Sequence, residues 1–297
     1  MLANKLLGHL KARTFTMFYC TKNLLGIVLI SISLVSNSKG SEIQVVDNKE
    51  ERELQTCKNE KVLFWALSIA AGLTPYTSVS KLRGGEKLKY VTSDGVELSG
   101  IKLASDTKAN AYLLIIQGNG FPAGRLIQEF ETFRDKGLDV YAFDFRGYKK
   151  SKGNRRIGAM LQDYSEILDW LNSKYSKRIV YATSYGGVIA SNIISDYSLY
   201  DLVIFDSVIS RASYVAECSI NYDPVDKIPS LCGSLIVQAN DKDRFYTGGL
   251  LTKLMEAAKS CGGKYIIQLG LAHPFEEKDE QISIRIQKLE ELMEPLL

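Results

Sequence analysis

From Lys87 to its C-terminus the chain alternates short apolar runs with segments of helical period, and few architectures accept that order. The runs at 87–92 and 96–103, joined by Ser93-Asp94-Gly95, read as a β-hairpin. Residues 111–116 form an unbroken apolar run, as a strand buried on both faces requires. Further strands are expected at 138–143, 178–182, 202–205, 235–239 and 265–269. Helical patterns fall between them at 124–136, 161–171, 188–195 and 250–260, and a last amphipathic helix is expected over 275–293. Residues 209–233 show no strong period. Strands alternating with helices predict an α/β fold, a mostly parallel sheet with helices on both faces and the leading hairpin as an antiparallel edge. No repeat with a period of about 20–50 residues recurs, which excludes a solenoid. In such a sheet ligands bind beyond the carboxyl ends of the strands, so function is expected in the residues that follow each strand.

The 297-residue chain divides into a leader at 1–40, a helical extension at 41–86 and the α/β domain at 87–297, with a short cap at 209–233. No acidic residue precedes Glu42; Lys5, Lys11, Arg13 and Lys22 lead into an apolar run at 24–35, and Ser36-Asn37-Ser38-Lys39-Gly40 follows. That order describes a secretory signal, or an N-terminal membrane anchor if it is not removed. The chain is therefore expected to be exported, periplasmic or secreted, or held at a membrane by this segment. A second apolar stretch at 62–73, with Phe64, Trp65 and Leu67, is too short to span a bilayer and is expected to pack on the domain as a helix, with a helix lying in the membrane interface as the alternative. Past the leader stand Cys57, Cys218, Cys232 and Cys261, an even set compatible with two disulfides; Cys218 with Cys232 is the expected pair, and four free thiols are the alternative. A net charge of +3, from 37 basic and 34 acidic residues, lacks the basic excess of a nucleic-acid binder. His9 and His273 are the only histidines, which excludes a histidine-rich metal site.

Several residues with chemistry to offer stand just after strands. Ser184 lies in Thr183-Ser184-Tyr185-Gly186-Gly187 between the strand at 178–182 and a helix, the setting of a nucleophilic serine on a tight elbow. Ala182 and Gly186 supply the small side chains that such a turn needs. The alternative is an N-capping serine with no chemical role. His273, in Leu269-Gly270-Leu271-Ala272-His273-Pro274, follows the last strand and is the available general base. Asp243, Asp241 and Asp206 are the candidate acids to orient it; the chain order Ser184, Asp243, His273 is the one expected on this kind of sheet. After 111–116 comes Gln117-Gly118-Asn119-Gly120, whose exposed backbone places the N–H of Asn119 beside that of Tyr185 as a candidate oxyanion hole. The spacing Gly118-x-Gly120-x-x-x-Gly124 with Asp144 after the next strand also fits a dinucleotide-binding turn, which gives an NAD(P)-binding oxidoreductase as a rival reading.

Taken in order, these segments resemble the α/β-hydrolase fold, and more closely its small-cap serine hydrolases of the Bem46 and dienelactone-hydrolase-like type, over about residues 88–293. Gln117-Gly118-Asn119-Gly120 resembles the family's H-G-N-x turn, with Gln for His. Asp144-Phe145-Arg146-Gly147-Tyr148 with Ser151 and Gly153 resembles D-x-R-G-x-G-x-S-x-G, with Lys149 for a Gly. Thr183 to Gly187 resembles the serine elbow, residues 222–229 the segment before the acid strand, and Ala272-His273 the end of G-x-G-H. Counting from Ser234, the resemblance implies Asp243 as the acid. It further implies a hydrolase that cleaves an ester-type acyl bond through Ser184, His273 and Asp243, with Asn119 and Tyr185 as oxyanion donors and with no cofactor or metal. The implied partner is a small acyl substrate, lipid-like ones included; carboxylesterase, lysophospholipase and thioesterase chemistry all suit the same residues. A catalytically silent binding protein on the same fold is the remaining alternative.

Overall fold

The structure is a computed structural model that describes residues 58–75, 78–214 and 217–297, together with two dipeptide strands, Phe15–Thr16 and Ser31–Ile32, which pair antiparallel. The expected leader otherwise falls outside the described residues, as does Cys57. Among the described residues no helix is long and apolar enough to cross a membrane.

Eight strands form the central sheet: β1 (Gly85–Val91), β2 (Glu97–Leu103), β3 (Ala111–Ile116), β4 (Leu138–Phe143), β5 (Lys177–Thr183), β6 (Leu202–Asp206), β7 (Leu235–Asn240) and β8 (Lys264–Gln268). Their spatial order is β8-β7-β6-β5-β3-β4-β2-β1. The hairpin β1–β2 and the pair β2–β4 are antiparallel, and every other pairing is parallel. The period-2 rule of strands divides the core. In β3, Tyr112, Leu114 and Ile116 join the cluster on one face, while Ala111, Leu113 and Ile115 join the cluster on the other. The first face is covered by α1 (Lys58–Leu73), α4 (Ile157–Asn172), α5 (Tyr185–Ile193) and α7 (Thr252–Ser260). The second is covered by α2 (Ala123–Ile127), α3 (Glu131–Arg134) and α8 (Asp279–Met293). One further short helix, α6 (Arg244–Thr247), follows β7.

Three departures from the sequence reading have physical causes. The helix expected over 124–136 is broken by a 3-10 turn at Gln128–Phe130. The turn brings Phe130 within 5.4 Å of Phe133, 5.5 Å of Tyr181 and 6.1 Å of Phe275 between ring centres, so aromatic packing overrides helical continuity. The last helix begins at Asp279 and not at 275, because Phe275, at φ 63°, is folded into the core before the helix starts. Cys232 is bonded to Cys261 and not to Cys218. The expectation weighed closeness in sequence, but Cys232 and Cys261 are adjacent across the sheet end: the Cys232 N–H donates to the Cys261 carbonyl at 2.8 Å. The expected cap region holds short 3-10 turns at Ala212–Tyr214, Glu217–Tyr222 and Pro224–Asp226, clamped by Arg211 bonds to Asp223 and Asp226, both 2.8 Å.

Candidate active site

The parallel strands end on one edge, and that edge collects the residues singled out above. Ser184 follows β5 at φ 49° and ψ −118°, a backbone conformation that non-glycine residues rarely adopt. Its neighbours enforce the turn. The Ser184 N–H donates to the Asp206 carbonyl at 2.9 Å, and a Cβ on Gly186 would lie 2.1 Å from the carbonyl oxygen of Ile116. A Cβ on Gly187 would likewise strike Val208 at 2.1 Å. Glycine at 186 and 187 thus lets α5 press against β3 and the segment after β6, and the start of α5 points its positive dipole end at the serine.

Asp243 and His273 meet. The Nδ1 of His273 lies 2.9 Å from Oδ2 of Asp243, with both side chains buried. The Phe245 N–H donates to Asp243 Oδ1 at 2.9 Å, and the Phe245 ring stands edge-on to the imidazole at 5.1 Å. Burial alone would push the Asp243 carboxyl up; its bonds with His273, Ser207 and the Phe245 N–H outweigh that and hold it below its ordinary value, so it is ionised. No hydrogen bond joins Ser184 Oγ to His273 among the described residues. In free enzymes such bonds are often long and tighten only around substrate.

The turn after β3 abuts the serine: a Cβ on Gly118 would lie 3.2 Å from Ser184 Cβ. Asn119 is held by its side chain, whose Oδ1 accepts from the Tyr148 hydroxyl at 2.5 Å. Gln117 is turned into the core, donating from Nε2 to the Phe143 carbonyl at 2.6 Å. Asp144 accepts from the Ala123 N–H at 2.8 Å and is buried, so its carboxylate caps α2 and does not face a ribose. Arg146 is locked between Asp94 and Asp163 (Nη1 to Asp94 Oδ2 2.6 Å, Nε to Asp163 Oδ2 2.9 Å), which makes the 144–153 turn a structural element beside the site. Among the described residues no group of three or more His, Cys, Asp or Glu side chains is placed to hold a metal ion.

Known proteins share this frame. Residues 107–217 match the family described as Serine aminopeptidase, S33, a stretch that includes Asn119 and Ser184 and stops short of Asp243 and His273. An uncharacterized membrane protein of Saccharomyces cerevisiae, YNL320W, is 28% identical over 128 residues, 41% of this chain; the match spans 45% of that relative's length. Among solved structures, the Pyrococcus furiosus esterase Pf2001 superposes with a TM-score of 0.59 at 16% identity, over 75% of this chain and 96% of that one. Thermogutta terrifontis esterase 2 superposes with a TM-score of 0.57 at 18% identity, over 74% of this chain and 96% of that one.

This chain has the α/β-hydrolase fold.

Within an α/β-hydrolase sheet the other two candidate acids have structural places. Asp241 accepts the Gly270 N–H at 2.7 Å and so pins the loop that carries His273. Asp206, fully buried, accepts from Tyr181 at 2.7 Å, Asn240 at 2.8 Å, Gln238 at 2.9 Å and Arg285 at 2.5 Å. Arg285 also pairs with Glu277 and donates to the Ala272 carbonyl at 3.0 Å, while the Ala272 N–H donates to Glu277 at 2.9 Å. Both backbone groups of the residue before His273 are therefore held by one buried ion network. The sequence reading missed Arg285 and Glu277. The available signal was an arginine at the buried spacing of α8, with Ile282, Ile286 and Leu289. Ser207 was missed too: at φ 56° it contacts Asn240 at 2.7 Å and supports the Asp243 carboxylate.

Proposed function

We propose that this α/β-hydrolase-fold protein is a serine hydrolase that cleaves an ester-type acyl bond. The observation that carries the reading is the buried 2.9 Å contact between His273 and Asp243, on the same sheet edge as a serine held at φ 49°. The solved esterases that share the frame support it. In this mechanism Ser184 Oγ attacks the acyl carbonyl and His273 Nε2 takes its proton, while Asp243 on Nδ1 holds the ring and stabilises the imidazolium. The N–H groups of Asn119 and Tyr185 hold the oxyanion, a contribution of about 3–4 kcal/mol for such a donor. His273 then protonates the leaving alcohol or thiol. Water activated by the same imidazole attacks the acyl-enzyme and frees the acid and Ser184. The Cys232–Cys261 disulfide supports action in an oxidising, exported setting.

The test is intact-mass analysis of the full chain after incubation with a fluorophosphonate, beside Ser184→Ala and His273→Ala. One adduct on the wild type and none on either variant is the expected result. No adduct on a folded wild type would overturn it and favour a catalytically silent binding protein.

A further inference from the structure

Helix α1 has two apolar faces, and among the described residues one is buried against the domain and the other is exposed. Phe64, Leu67 and Ala71 are buried, and the Phe64 ring packs edge-on to Tyr185, the residue after Ser184, at 5.4 Å. The helix therefore lies beside the proposed oxyanion hole. Its outward face carries Trp65, Ile69 and Leu73, at i, i+4 and i+8, with relative exposures of 57%, 42% and 72%. Spacing of this kind makes one continuous stripe along the helix. A contiguous exposed apolar stripe on a helix is a contact surface more often than an accident of composition.

What borders the stripe identifies its partner. Lys149 Nζ donates to the carbonyls of Gly72 and Thr74, at 2.7 and 3.0 Å, and so binds the 144–153 turn to the C-terminus of α1. Lys149 stands at φ 45°, where glycine would be relaxed, and the bond to α1 offsets that strain. The segment that it opens, 149–156, contains Lys149, Lys150, Lys152, Arg155 and Arg156 and no acidic residue, and Lys150 and Lys152 are exposed. An apolar stripe with an interfacial tryptophan beside a run of cations is the composition of a surface that lies in the headgroup region of an anionic membrane. A second protein surface would have to present carboxylates next to an apolar groove to match it; an anionic bilayer presents both everywhere.

We propose that the outer face of α1, with the 149–156 cations beside it, seats this chain on an anionic lipid surface, with the mouth of the site next to that surface. Where it names a substrate, an acyl ester held in the same lipid, the proposal rests on the serine-hydrolase reading; the docking itself does not.

The test uses the full chain and vesicles of phosphatidylcholine alone or with an equal part of phosphatidylglycerol. In a Trp170→Phe background Trp65 is the sole tryptophan. Its emission is expected to shift to the blue and to be quenched by doxyl-labelled lipid in the anionic vesicles, and both effects are expected to weaken as salt screens the cations. The variant Trp65→Ser/Ile69→Ser/Leu73→Ser changes only exposed positions, so it keeps the fold, and it is expected to bind anionic vesicles about tenfold to a hundredfold more weakly. Lys150→Gln/Lys152→Gln is expected to lose the preference for phosphatidylglycerol. An unquenched Trp65, or equal vesicle binding by the triple variant and the wild type, would overturn the docking face whatever the leader does. A wild type that ignores vesicles but elutes as a dimer, while the triple variant elutes as a monomer, would overturn it in favour of a second copy of the chain. Quenching with no fluorophosphonate adduct on Ser184 would uphold the docking and overturn the catalytic reading.

Discussion

The Asp144 carboxyl shows how far a single buried group can set the behaviour of the site's surroundings. Burial pushes its pKa up to about 6, against an ordinary value of 3.8, and the Ala123 N–H is its partner at 2.8 Å. Between those values the folded chain holds a proton that the unfolded chain has released. The stability that Asp144 contributes is thus fully present below about pH 4 and is lost as pH rises through about 6, a change of about 3 kcal/mol. Asp144→Asn keeps an oxygen acceptor for Ala123 and removes the titration. The variant is expected to match the wild type in Tm near pH 4 and to exceed it near pH 8; parallel Tm profiles across that range would show that Asp144 does not titrate this way. At this scale the sequence was readable where chemistry follows a strand. Ser184 stands directly after β5, Asp243 and His273 stand in the loops that follow β7 and β8, and scarcity singled out His273. Ser207 and Phe245 were not readable, because their roles come from a backbone angle and from a ring edge that only the fold brings to Asp243 and His273.

Among the elements, the strands were the legible part. The runs at 111–116 and 138–143 coincide with β3 and β4, since a strand buried on both faces is apolar wherever its side chains have no polar partner; the one exception, Asp139 in β4, accepts from the Ser105 N–H at 2.8 Å and pairs with Lys102 at 2.9 Å. Helix starts were less legible. The periodic pattern of α5 begins at Val188, yet the helix begins at Tyr185, because the elbow fills its first turn with glycines that have no side chain to show a period. Helix α8 shows what pattern alone hides: its buried face includes Arg285, fully enclosed between Asp206 and Glu277. Removing one partner of such a network strands the others in a low-dielectric interior, at a cost of about 3–5 kcal/mol. Arg285→Met is therefore expected to lower unfolding stability by that amount in urea titrations, and to slow fluorophosphonate labelling of the protein that remains folded, since Ala272 loses its anchor beside His273. Asp206→Asn combined with Arg285→Met is expected to lose less than the sum of the two single changes. Strict additivity would show that the two side chains act apart.

Across the whole molecule the proposed machinery comes from two stretches of chain. Asn119 and Ser184 follow the central strands β3 and β5, while Asp243 and His273 follow β7 and β8 at the far end of the sheet. The order β8-β7-β6-β5 gives β8 a single neighbouring strand, so the element that delivers His273 is the most weakly secured of these. The Cys232–Cys261 bond answers that weakness, because it ties the segment entering β7 to the end of α7, just before β8. It closes a loop with a sequence separation of 29, and restricting a loop of that size in the unfolded chain stabilises the native state by about 3–4 kcal/mol. Cys232→Ser/Cys261→Ser, and equally the reduced wild type, are expected to lose that stability. In hydrogen exchange, protection is expected to fall first in β7, α7 and β8 while β3 and β5 stay protected. Labelling of Ser184 is expected to decline along with the protection of β8, before global unfolding, because the proposed nucleophile is then intact and its proposed base is displaced. Uniform loss of protection across all eight strands would show that the disulfide stabilises the domain as one unit and does not secure the acid and base in particular.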